Sequence, residues 1–108
     1  MGESLQIQLK KGVLEMCVLA LLSKGDNYAY DIASRMAEAV GMGEGTIYPL
    51  MRRMQNDDLV STYLQESASG PPRKYYKLTK AGAAALKAQR TEWDIFYGAV
   101  AKILGDAT

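Results

Sequence analysis

Nine of the ten residues from Val13 to Leu22 are apolar, and the single exception is Glu15. A helix that is apolar on nearly every side has to be covered on more than one side. A chain of 108 residues makes one small domain, so the second side of this helix is expected to belong to another subunit. Ser23-Lys24-Gly25 ends the block, with the glycine as a C-terminal stop.

Beyond that stop the apolar residues fall into regular patterns. Asp26-Asn27 is expected to cap a second helix, roughly Tyr28 to Val40, with Ile32, Met36 and Val40 on one face beside Ala29, Ala33 and Ala37. Gly41-Met42-Gly43 turns the chain into a third helix, Glu44 to Asn56. At about 100° per residue, Ile47, Leu50, Met51 and Met54 share one sector and form a core stripe. The opposite side carries Gly45, Pro49, Arg52 and Asn56, flanked by Thr46, Tyr48 and Arg53. That side has no large aliphatic residue. Pro49 removes one backbone donor, which predicts a kink or an irregular first turn.

The pattern then becomes extended. Leu59 to Glu66 and Arg73 to Leu78 are rich in Tyr, Val, Thr and Leu, and Ser67 to Pro72 separates them. This predicts two antiparallel strands with a six-residue tip. Thr79 is the expected cap of a last helix, Lys80 to about Leu104. Along it Leu86, Trp93, Phe96, Val100 and Ile103 form a seam of the coiled-coil kind, which points to a homodimer.

The fold class is therefore mainly α with a two-stranded β wing: a winged helix-turn-helix followed by a long C-terminal dimerisation helix. Residues 1–79 make the DNA-binding region and residues 80–108 the dimerisation helix of one compact domain. A helix of this kind fits the major groove and presents side chains to base edges. A hairpin beside it can carry basic groups to phosphates. The net charge of +1 is uninformative, but its distribution is not. From Thr46 to Lys80 stand Arg52, Arg53, Arg73, Lys74, Lys77 and Lys80 against Asp57, Asp58 and Glu66.

Composition excludes other classes. No histidine is present, which removes the commonest general base and the commonest metal ligand. No catalytic residue, metal site or cofactor is expected, and the chain does not read as an enzyme. Cys17 is the only cysteine, so no internal disulfide forms, and it reads as a small buried apolar residue. No apolar run reaches the length of a membrane span, and no secretory signal is seen, so the expected location is cytoplasmic.

Three segments resemble the PadR transcriptional regulators. Gly25-Asp26-Asn27-Tyr28-Ala29-Tyr30-Asp31-Ile32 is similar to that family's entry into its second helix. Gly45-Thr46-Ile47-Tyr48-Pro49-Leu50-Met51-Arg52-Arg53-Met54 is similar to its recognition helix, and Arg73-Lys74-Tyr75-Tyr76-Lys77-Leu78-Thr79-Lys80-Ala81-Gly82 to the passage from wing to last helix. The resemblance implies a repressor, dimeric through its terminal helices, on an inverted-repeat operator in double-stranded DNA. Tyr30, Thr46, Tyr48, Pro49, Arg52, Arg53, Arg73 and Lys74 are the expected DNA contacts. One departure is Asp58, where the family's pattern commonly has glycine.

The single C-terminal helix is similar to that of the family's short members, some of which respond to multiple drugs by binding flat aromatic compounds at the dimer interface. Trp93 and its symmetry mate would then flank a pore, helped by Met16, Leu19, Phe96, Tyr97 and Val100. The same residues serve equally as plain dimer packing. A DNA-binding regulator without an effector, and a winged-helix module that binds only protein, remain as alternatives.

Overall fold

The computed structural model describes residue 10 and residues 12–105. Among these residues the elements follow as α1 (Leu14–Ser23), β1 (Asn27–Tyr28), α2 (Ala29–Val40), α3 (Glu44–Asn56), β2 (Val60–Ser67), β3 (Gly70–Leu78) and α4 (Lys80–Ile103). This is a mainly helical winged helix-turn-helix with a small antiparallel sheet in the order β1-β3-β2.

The core is built by α1, α2, α3 and the base of the hairpin. Leu14, Val18, Leu19 and Leu22 of α1 meet Ile32, Ala33 and Met36 of α2, the four apolar residues of α3, Val60 and Tyr76. The stripe expected on α3 is buried as expected, and the helix has the expected bounds. Burying each such side chain contributes about 1.5–3 kcal/mol relative to exposure. Pro49 leaves α3 unbroken. The carbonyl it deprives is that of Gly45, in the exposed first turn, where water can bond to it.

Several expectations are corrected. The sheet has three strands, because Asn27 and Tyr28 pair with Tyr76 and Tyr75. Asn27 therefore sits in a strand, and Tyr28 occupies the N-cap of α2 without a side-chain cap bond. Asn27 instead braces the first turn by donating to the Asp31 carboxylate, which also accepts from Arg35 at 2.7 Å. Arg35 first and Asn27 second hold the Asp31 carboxyl below its usual range.

The hairpin tip is shorter than expected. Ser67 pairs with Gly70, leaving only Ala68-Ser69 in the turn. Between the pairs Gln65–Arg73 and Ser67–Gly70 stands Glu66 on one side and Pro71-Pro72 on the other. This is a bulge, the position in a sheet where prolines without a donor are tolerated. The coverage of α1 also differs. Leu14, Val18, Leu19 and Leu22 are buried within the chain, Leu19 completely. Leu19 consequently lines neither an interface nor a pore.

The wing is locked onto α4 by a cap and a close approach. The Thr79 hydroxyl donates to the Asp58 carbonyl at 2.6 Å and accepts the Gly82 N–H at 2.9 Å. A Cβ on Gly82 would overlap the Leu59 carbonyl oxygen and lie 2.8 Å from Leu78 Cδ1. Just before β2, Asp58 has φ of 60°, a left-handed conformation that suits glycine better.

Candidate nucleic-acid interface

The surface of α3 divides into three strips. Gly45, Pro49, Arg52 and Asn56 are exposed, on the side away from the buried stripe. With no bulky aliphatic side chain, the backbone there can approach a ligand closely while Arg52 extends from it. A guanidinium in this position has the planar donor fork that matches the acceptor edge of guanine or a phosphate.

One flank of α3 turns toward the sheet. Tyr48 is half-buried and its hydroxyl donates to Glu44 Oε1 at 3.1 Å. Burial first, then Glu44, pushes its pKa up, so the hydroxyl keeps its proton. Tyr30, at the start of α2, is 60% exposed and open to a phosphate.

The other flank turns toward α1. Thr46, Pro49 and Arg53 line a shallow depression with Leu14, Glu15 and Leu50. Arg53 does not simply project into solvent: it donates to Glu15 Oε1 at 2.9 Å. Of the two neighbouring arginines, Arg52 stands on the outward strip and Arg53 is engaged by another helix.

The two basic residues of the wing are separated by the strand's pleat. Arg73, opposite Gln65, shares a face with Tyr75 and Tyr63; Lys74, opposite Leu64, shares the other with the buried Tyr76. The Arg73 guanidinium lies 4.5 Å from the Tyr28 ring centre, and Lys74 Nζ lies 5.6 Å from that of Tyr76. Tyr28 tilts against Tyr75 at 5.5 Å, and Tyr63 stacks on Tyr75 at 5.8 Å. The Tyr63 hydroxyl donates to Asp26 at 2.7 Å, bracing the hairpin against the turn after α1.

A second site lies between α1 and α4. A groove of about 590 Å³ is lined by Gly12, Val13, Glu15, Met16, Arg53, Ala88, Gln89, Glu92, Trp93 and Phe96. Of the residues expected at an interface or pore, Met16, Trp93 and Phe96 come together here. Tyr97 lies beside Trp93, their rings 5.8 Å apart, but outside the groove, and Val100 lies a turn further along α4. Beyond Arg90 the apolar side chains of α4 are largely uncovered, with Ile95 67%, Phe96 64% and Tyr97 59% exposed.

The polar lining of this groove was not singled out by its sequence pattern. Glu15 Oε2 accepts from Gln89 Nε2 at 2.6 Å while its other oxygen holds Arg53. The one signal was Glu15 itself, a lone carboxylate in an apolar helix. Cys17 is half-buried, and burial pushes its thiol pKa up, which favours the protonated form. Among the described residues no cluster of three or more potential ligands could hold a metal, and no helix is long and apolar enough to cross a membrane.

Comparison with known proteins agrees with this geometry. Residues 18–88 match the model of the transcriptional regulator PadR-like family. A PadR-like transcriptional regulator from Bacillus cereus is 35% identical, covering 90% of this chain and 96% of that one, with a TM-score of 0.83. A PadR-like transcription factor from Bacteroides fragilis is 43% identical over 94% of this chain and 99% of its own, with a TM-score of 0.74. A PadR family regulator from Clostridium difficile is 30% identical over 85% and 98%, with a TM-score of 0.78.

Proposed function

Because the chain belongs to the PadR-like family of DNA-binding transcriptional regulators, and not to a family of enzymes, we propose that it works as a homodimeric repressor. On this reading residues 1–79 are its DNA-binding region and residues 80–108 its dimerisation region, in which α4 (Lys80–Ile103) joins two copies. The observation that carries this reading is the contrast within α3. Its four large apolar residues are buried, and its outward strip of Gly45, Pro49, Arg52 and Asn56 is open.

Two copies of α3 enter successive major grooves of an inverted repeat, where Arg52 reads a base edge. Thr46, Tyr48 and Pro49 fit against the backbone and base edges beside it, and Tyr30 takes a phosphate. Arg73 and Lys74, on opposite faces of the wing, meet different parts of the duplex. Pairing of the exposed stretch of α4 supplies the dimer, because Phe96 and Tyr97 have little cover within their own chain and Trp93 is still 39% exposed. A flat aromatic effector fits the groove beside Trp93, where a ring can stack and Met16 and Phe96 supply apolar walls. Its arrival would alter the packing of α4 and so the separation of the two α3 helices, relieving repression. A cytoplasmic location goes with this DNA-binding reading.

Salt titration tests the DNA-binding core of this reading. Affinity for a labelled duplex should fall linearly on a logarithmic salt scale as counterions are released by phosphate contacts. A module that binds only protein would leave the duplex unbound at every salt concentration.

A further inference from the structure

The Glu15 carboxylate is bonded on both oxygens, and its two partners belong to different working parts of the molecule. Arg53 is on α3 and its side chain is 60% exposed, whereas that of Glu15 is 23% exposed. Gln89 is on α4, one helical turn before Trp93. Glu15 and Arg53 are also the two residues common to the depression beside Thr46 and the groove beside Trp93. The ion pair is thus the partition between the flank of the recognition helix and the groove of the C-terminal helix.

We propose that Glu15 is an internal counter-ion that competes with DNA phosphate for Arg53 and so holds DNA affinity below its attainable value. The proposal rests on the reading of α3 as the DNA-contacting helix. A guanidinium paired with a carboxylate is neutralised as a pair, and here one of its donors is already occupied. For Arg53 to reach a phosphate it must leave Glu15, and the carboxylate left behind stands near the incoming negative charge. Both effects oppose binding. An exposed pair of this kind is weak enough to open, so it tunes affinity and does not abolish it. The hydrogen bond from Gln89 ties the same carboxylate to α4. A shift of α4 would therefore change how firmly Arg53 is held, which gives the groove a route to the recognition helix through two named contacts.

The test uses the full chain and two variants, Glu15→Gln and Arg53→Gln, alone and together. Glu15→Gln keeps the side-chain size and Arg53→Gln shortens an exposed side chain while keeping a polar head, and size-exclusion chromatography with circular dichroism checks assembly and fold. Affinity for a labelled random-sequence duplex is measured over a salt series. Glu15→Gln should bind about fivefold to twentyfold more tightly where two copies act together, with a salt slope steeper by about one to two units. In the Arg53→Gln background the same change should give little gain, because the competition has no object. A Glu15→Gln protein that is folded but binds no more tightly overturns the proposal. So does a gain of equal size in the Arg53→Gln background, which would mark a general charge effect. Wild-type protein that binds no duplex at any salt would overturn the DNA-binding reading as well, which separates that failure from the others.

Discussion

In α3 the four core residues Ile47, Leu50, Met51 and Met54 are at most 8% exposed, whereas in α4 Trp93 is 39% and Phe96 64% exposed. Both helices carry an apolar stripe at helical spacing, and the chain completes only the first. The core packs outward as far as Ala85 and Leu86, so the rest of α4 contributes nothing to it. A stripe that its own chain buries fixes a helix in place and aims its other side. A stripe left uncovered is a surface for a second molecule. The first three helices and the base of the hairpin carry the core, and the proposed dimer would use the end of the fourth helix.

Disabling the uncovered stripe should have the largest effect. Trp93→Asp with Phe96→Asp should give a folded monomer, because none of the core depends on these residues. DNA affinity should then fall about a hundredfold or more, since two linked half-sites bind far more tightly than one. Sedimentation and gel shift would check this. Insoluble protein would mean that the end of α4 belongs to the folding core after all.

On the completed helix, Arg52→Ala should cost about 1–3 kcal/mol at a specific site and leave the dimer intact. The wing sharpens the same contrast. Arg73→Ala and Lys74→Ala should not behave alike, because the residues sit on opposite faces of β3. Both should weaken binding, the one that meets a phosphate lowering the salt slope by about one unit, and equal losses with equal slopes would contradict their meeting different parts of the duplex.

The junction between the two regions gives two opposed stability effects. Gly82→Ala should destabilise by about 1–3 kcal/mol, because the added Cβ meets the backbone of Leu59. Asp58→Gly should stabilise by a smaller amount, about 0.5 kcal/mol, by relieving a left-handed residue. Thermal melting of both variants checks the signs. The smallest effect belongs to Asp31, whose folded pKa lies below its ordinary value. Its contribution is present above pH 3.8 and is lost as pH falls through the folded value. The Tm difference between wild type and Asp31→Asn should therefore be constant near neutrality and close in strong acid.

How far the fold could be read from sequence followed from the kind of signal each element carries. α3 was legible in bounds and facing because its apolar residues occupy one sector, which sets the phase of a helix. α1 is apolar nearly all round and sets no phase, so its pattern does not show that Leu19 fills the core and does not line an interface. β1 has two residues, too few for any period, and its partners Tyr75 and Tyr76 are far along the chain. The short hairpin turn was hidden by Pro71 and Pro72, which read as loop but sit in a bulge. At the site, Arg52 could be placed by helical geometry alone. The engagement of Arg53 by Glu15 joins positions 38 apart, and that of Gln89 by the same carboxylate positions 74 apart, so neither leaves a local pattern. At Asp58, where the family's pattern commonly has glycine, the backbone is left-handed, a conformation that no sequence period signals.

The central claim is that two copies of α3, joined through α4, read DNA together. It is tested most directly by sequencing the duplexes that the 108-residue chain selects from a random pool. The selected DNA should contain an inverted repeat whose half-site centres lie about one helical turn, roughly 10 base pairs, or a multiple of it apart. Trp93→Asp with Phe96→Asp should lose selection for the paired arrangement. Enrichment of no motif, or of a single asymmetric site unaffected by that double substitution, would contradict the claim.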